Sequence, residues 1–194
     1  MLPALLFASQ LVAGAHGGVQ YTTALGDKPV GAGQLRGGVE LASRGAHSMA
    51  GFGLDFATTP RTFFAVLGCG ACGTQLGVRA FAGPALSVFG AVRLDLQAEL
   101  GMHFYRGVHR DLTVAGIGYR SDDAYSNTPF LGFRPQLLLT PFRAAVGLAA
   151  VIRTDLVTRT RRVTEHVTQG QDRPLTLSIG GLSLGAELTV AWDL

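Results

Sequence analysis

Lysine is almost absent from this chain of 194 residues: Lys28 stands alone against fifteen arginines. Charge of either sign is scarce, at 15% of residues, where a soluble domain carries about 25%. No uninterrupted apolar run reaches the roughly 18 residues of a membrane-spanning helix, although 47% of residues are hydrophobic and the mean hydropathy is +0.30. With 27 glycines and 8 prolines in no periodic repeat, a collagen is excluded and a helical bundle disfavoured. The net charge of +3 comes from scattered arginines, which leave no footprint for nucleic acid. Arg159, Arg161 and Arg162 are the exception, a short basic patch expected in a loop. The two cysteines, Cys69 and Cys72, lie in Gly68-Cys-Gly-Ala-Cys-Gly73. No second pair or nearby histidine completes a zinc site, so a small disulfide or an idle thiol pair is expected. No motif calls for a cofactor or a metal.

Residues 2–13 form a short apolar segment followed by Ala13-Gly14-Ala15. That pattern suits the core and cleavage site of a secretory signal peptide, although no Lys or Arg precedes it. Residues 1–15 are therefore read as a signal peptide, 16–32 as a lead-in rich in glycine and small polar residues, and 33–194 as the folded domain.

From residue 33 the dominant signal is alternation with period two, the mark of strands with one apolar face. Over 92–105 the even positions are Val, Leu, Leu, Ala, Leu, Met and Phe, while the odd ones include Arg93, Asp95, Gln97, Glu99 and His103. The C-terminal segment alternates Leu182, Leu184, Ala186, Leu188, Val190, Trp192 and Leu194 with Ser183, Glu187, Thr189 and Asp193. Weaker alternation covers 34–41, 50–56, 76–82, 131–139 and 146–153, and 62–68 reads as a short apolar strand. Tight turns are expected at 58–61, 89–91 and 140–143, where Pro or Gly breaks the pattern; the links 44–47, 69–73, 106–129 and 158–174 are polar. Leu175, Leu177 and Ile179 are out of phase with Leu182 onward, and a bulge at Gly180-Gly181 would restore the pattern.

Three features favour lipid over water on the apolar face. Small residues recur on the polar face, as the narrow lumen of an eight-stranded barrel requires. The charges there mix signs: Arg36, Glu40, Asp55, Arg79, Arg93, Asp95, Glu99, Arg134, Arg153 and Glu187. Such a set can pair across an interior, where an unpaired charge costs several kcal/mol. Aromatic residues gather near strand ends, with Phe56, Phe63, Phe89, Phe142 and Trp192 assigned to one rim and Phe104, Tyr105 and Phe130 to the other. The expected fold is all-β: an eight-stranded antiparallel up-and-down transmembrane β-barrel.

In these respects the chain resembles the small outer-membrane barrels of diderm bacteria, the OmpA transmembrane-domain and OmpX-like group, over residues 33–194. The most specific piece is the C-terminal strand, where Leu188, Val190, Trp192 and Leu194 resemble the signal read by the barrel-assembly machinery, with Leu in place of the usual terminal aromatic. The resemblance implies export, outer-membrane lipid as the surrounding partner, and loops 44–47, 69–73, 106–129 and 158–174 at the cell surface, with their ligand unspecified. It points to a non-enzymatic envelope barrel acting through its loops or structurally. The alternatives are a narrow pore, a lipid-modifying enzyme, and a soluble lipocalin-like binding barrel. For an enzyme, His103 with Ser126 or Ser48, and Glu99 on the same face, are the nearest candidates. His109 beside Arg110-Asp111 and His166 beside Glu165 are expected in solvated loops.

Overall fold

The computed structural model describes residues 10–26, 32–59, 69–140 and 144–194. Ten strands account for nearly all of them: β1 (Gln10–Gly26), β2 (Ala32–Arg44), β3 (Ser48–Thr58), β4 (Cys69–Phe89), β5 (Val92–Val114), β6 (Ile117–Ser121), β7 (Ala124–Leu139), β8 (Ala144–Asp155), β9 (Arg159–Val167) and β10 (Arg173–Asp193). Every pairing is antiparallel, and β1-β2-β3-β4-β5-β7-β8-β10 closes into a ring of eight because β10 pairs back onto β1. Closure leaves no ring strand with an unpaired edge.

Strand β1 corrects the expected lead-in. Ala15 pairs with Val39 on one side and with Val190 on the other, so Ala13-Gly14-Ala15 lies inside the barrel wall. Residues 16–26, expected to precede the domain, continue the same strand. Its alternation was present in sequence, with Val19 and Tyr21 outward and Gln20 and Thr22 inward, but small residues blur it over 13–18. The strand expected over 62–68 lies outside the described residues.

Strand β3 pairs directly with β4, so β2 and β3 run opposite to the direction expected. The link 45–47 shares an end with the tight connection 90–91, the β7–β8 connection and the C-terminus, so 44–47 is not among the long loops as expected. At the opposite, long-loop end lie Thr58, the top of β5 and the β8–β10 connection. Phe56 therefore sits at the same rim as Phe104, not beside Phe89 and Trp192. Tyr105 and Phe130 are both fully buried and point into the lumen rather than into a girdle. Phe63 and Phe142 lie outside the described residues. Segment 69–73 belongs to β4, 106–129 contains β6, and 158–174 contains β9.

Along the middle of each ring strand the apolar residues face outward. Leu182, Leu184, Leu188 and Val190 on β10, Phe52 and Leu54 on β3, and Leu131, Phe133 and Leu137 on β7 are all exposed. Over about ten residues per strand this makes a continuous apolar band of spanning height. A soluble lipocalin-like barrel would need the reverse facing.

The reverse facing does occur above the band. At the long-loop end β5 pairs with β6, β6 with β9 and β9 with β10, so β6 and β9 continue the wall where β7 and β8 end. There Leu175, Leu177 and Ile179 point inward and pack with Tyr105, Val108, Ala124 and Ala32, and Val163 packs against them. Outward neighbours such as Thr176 and Arg162 are exposed. The bulge at Gly180-Gly181 exists: Thr22 and Ala24 on β1 face Ser183 and Gly180, two steps against three. It does not return Leu175, Leu177 and Ile179 to the outer face. The solvent outside changes from lipid to water, and the apolar side changes with it.

Candidate functional site

Inward positions along β8 run Ala145, Ala149, Val151, Arg153 and Asp155, and the lumen is layered in the same way. At the short-turn end Val12, Leu138, Ala145 and Ala191 form a small apolar cluster, with Ala42, Met49 and Phe81 beside it. Above these lies a network of buried charge.

Arg134 on β7 donates to Glu187 (3.0 Å) and Glu40 (2.9 Å). Arg79 on β4 reaches Glu40 (2.7 Å), Asp55 (3.2 Å) and Glu99 (3.1 Å). Arg153 on β8 holds Asp55 at 2.8 Å and both oxygens of Glu99. Arg36 on β2 pairs with Glu187 (2.6 Å) and Asp55 (3.0 Å). On β1, His16 Nε2 lies 2.9 Å from Asp55. Each of the eight ring strands thus supplies at least one member, and the four guanidiniums balance the four carboxylates. Neutrality and multiple partners are what make so much buried charge tolerable, because each ion loses several kcal/mol of hydration. Glycine makes the room: a β-carbon on Gly53 would lie 2.9 Å from the Arg79 guanidinium carbon, and one on Gly132 would lie 2.8 Å from Arg153 Cγ.

Eight of the ten charged residues singled out in the sequence meet in this network. The other two, Arg93 and Asp95, pair with each other at 2.6 Å near the short-turn end, where Arg44 and Asp193 also lie. Sequence reasoning missed His16, because β1 was taken for a leader and lead-in. It also missed the amides that coat the network: Gln20 donates to Gln34 (2.7 Å) and Gln75 (2.9 Å), and Gln97 to Gln136 (3.2 Å).

Above the charges, His103 Nδ1 lies 2.7 Å from Asp155, Tyr105 donates its hydroxyl to the same carboxylate at 2.6 Å, and Phe130 stacks on the imidazole at 3.9 Å. Ser126 is the register partner of Tyr105, whereas Ser48 stands at the other end of the barrel. Neither Ser126 Oγ nor His103 Nε2 has a hydrogen-bond partner among the described residues, so the expected nucleophile and base are not brought together. Glu99 is engaged by Arg153 and Arg79.

The two histidines expected in loops lie in strands. His109 on β5 is buried, with Nδ1 2.8 Å from the Gly107 carbonyl. His166 on β9 is exposed and lies between Asp172 (2.9 Å) and Asp122 (3.1 Å). The two carboxylates hold its imidazole above the ordinary histidine range, with the Asp122 hydrogen bond the largest single cause, and His166 in turn holds Asp122 below the usual carboxylate range. Its neighbour Glu165 is buried and pairs instead with Arg173 (2.6 Å) and Arg110 (3.4 Å). Cys72 is buried and disulfide-bonded, in a chain with two cysteines.

No protein-family model matches this sequence, and no curated protein is significantly similar to it. Solved structures are similar in fold. Neisserial surface protein A aligns over 95% of this chain and 96% of its own, at 10% identity and a TM-score of 0.62. A major outer membrane protein from Thermus thermophilus aligns over 96% of this chain and 100% of its own, at 10% identity and a TM-score of 0.56. The chain has the fold of the small bacterial outer-membrane β-barrels.

Proposed function

We propose that this chain is a closed barrel of the bacterial outer membrane, without a conducting lumen, that acts at the cell surface through the wall extension of β6 and β9. The observation that carries the reading is the neutral network at mid-barrel, to which all eight ring strands contribute. An ion crossing it would have to break several charge-assisted hydrogen bonds at once, and then pass the apolar cluster of Leu175, Leu177 and Ile179. The outward apolar band supports a membrane setting, and Leu188, Val190 and Trp192 face outward on β10, as a strand presented to an assembly machinery would. Planar-bilayer recording tests the closed lumen. The wild-type protein is expected to give no steps across the usual voltage range, and regular conductance steps from purified wild-type protein would overturn the reading.

A further inference from the structure

Where the apolar band ends on β3, β4 and β5, the outer wall changes chemistry in a single step. Phe56, Leu76 and Phe104 are register neighbours on the outward face; two residues further along each strand lie Thr58, Thr74 and Arg106, again register neighbours. A membrane-spanning wall changes in this way where acyl chains give way to headgroups. Beside the polar row is a recess of about 260 Å³, several times the roughly 30 Å³ that one water occupies in the liquid. Thr58, Thr59 and Thr74 line it together with Arg106, His109 and Arg120.

Two of these lining groups are buried and unsatisfied. Thr59 and His109 are each 6% exposed, and neither Thr59 Oγ1 nor His109 Nε2 has a hydrogen-bond partner among the described residues. Native structures leave few such atoms without a reason. Arg106 is held in place, with Nη1 donating to Asn127 Oδ1 (3.0 Å) and to the Tyr105 carbonyl (3.1 Å). Its guanidinium carbon lies 5.9 Å from the centre of the Phe104 ring. Asp123 also lines the recess, 3.2 Å from His109 Nδ1, so two guanidiniums face one carboxylate that the histidine already engages.

We propose that this recess binds a phosphate group at the membrane–water interface. Arginine forks match phosphate oxygens, and the threonine hydroxyls donate to them. With Nδ1 of His109 directed at the Gly107 carbonyl, Nε2 is free to accept from a phosphate hydroxyl. A cation is disfavoured by the two guanidiniums, and an acyl chain by the polar lining. A lipid headgroup and a free ion both supply this chemistry. The inference rests on the reading of the band as membrane-spanning, not on whether the lumen conducts.

Native mass spectrometry of the folded barrel in a neutral detergent tests it, with phosphatidic acid, diacylglycerol and inorganic phosphate as probes. Phosphatidic acid is expected to bind, and diacylglycerol, which lacks the phosphate, is not. Arg106→Gln and Arg120→Gln should each weaken binding by about tenfold. Arg162→Gln, an exposed arginine on β9 outside the recess, should leave it unchanged. Displacement by millimolar inorganic phosphate would identify free phosphate as a sufficient ligand; retention of the lipid would identify the headgroup. A shift of the His109 ring resonances on adding phosphatidic acid to wild-type protein is a second expected result that needs no variant. Equal binding of the two lipids, or an Arg162→Gln loss as large as the recess variants show, would overturn the proposal. A conducting lumen would count against the closed-barrel reading and leave this binding result untouched.

Discussion

Arg153 and Asp55 are 98 residues apart in sequence and 2.8 Å apart across the lumen. Their contact joins β8 to β3 through the centre of the barrel, and Arg153 also holds Glu99 of β5. Arg153→Met is expected to lower unfolding stability by about 3–5 kcal/mol, because it leaves two carboxylates buried with fewer partners. Removing the charge of one partner as well, with Glu99→Gln, leaves three guanidiniums against three carboxylates and should recover part of that loss. Urea unfolding in lipid vesicles, followed through Trp192, the chain's only tryptophan, measures both. Equal stability of Arg153→Met and wild type would mean that the network contributes nothing.

The change of outer solvent along β10 makes position decide the effect of one substitution. Leu188 is exposed at mid-band, and Thr176 is exposed above it. Leu188→Arg should cost about 2–4 kcal/mol, as arginine does at the bilayer midplane of such barrels, while Thr176→Arg should be close to neutral. Leu177, fully buried in the upper cluster, should lose about 2–5 kcal/mol on substitution by Ala through cavity formation. The same unfolding assay ranks the three, and a costly Thr176→Arg would place the lipid boundary too low.

Gly180 and Gly181 adopt φ values of +121° and +105°. A β-branched residue is strained there, so Gly180→Val should cost about 1–3 kcal/mol. The damage should concentrate on the β1–β10 pairing beside the bulge, where Leu182 N donates to Thr23 Oγ1 at 3.1 Å. Amide hydrogen exchange at Leu182 in the variant reads this directly, and unchanged protection would argue against strain.

His166 gives the outer tip a pH dependence. Its pKa is raised, first by Asp122 and then by Asp172, so its stabilising contribution is complete below the ordinary histidine range and fades as pH rises through the raised value. Asp122 is shifted the other way by His166, and its contribution fades as pH falls through the lowered carboxylate value. The link should therefore be firmest at mildly acidic pH and loosen on the alkaline side first. Protease nicking near Asp122 and Asp172 should rise with pH above neutrality in the wild type. In His166→Gln it should be high and flat, and a wild-type profile as flat as the variant's would remove the ion pairs from the account.

The strands were legible in sequence wherever one side stayed charged. Arg93, Asp95, Gln97 and Glu99 against Leu94, Leu96 and Leu100 allow no other regular structure. Strand β1 was harder to read, since Gly14, Ala15, Gly17 and Gly18 carry almost no contrast and the same small residues mimic a cleavage site. The end assigned to 44–47 was reversed because a further strand was expected between β3 and β4, which pair directly. The phase break at Gly180-Gly181 was visible too. Its meaning was not, because alternation records that two faces differ and never which solvent each one meets.

Composition and periodicity by themselves determined that this chain builds a one-layer β wall with mixed charges confined to one side. Those properties are local: they need only the geometry of an extended backbone and neighbours two residues away. Only the closed structure decided that eight of those charges meet in a neutral cluster, that Asp155 serves His103 and Tyr105, and that β6 and β9 carry the wall beyond the lipid. Those relationships join residues brought together by ring closure and register, which pair distant strands at heights no single strand specifies.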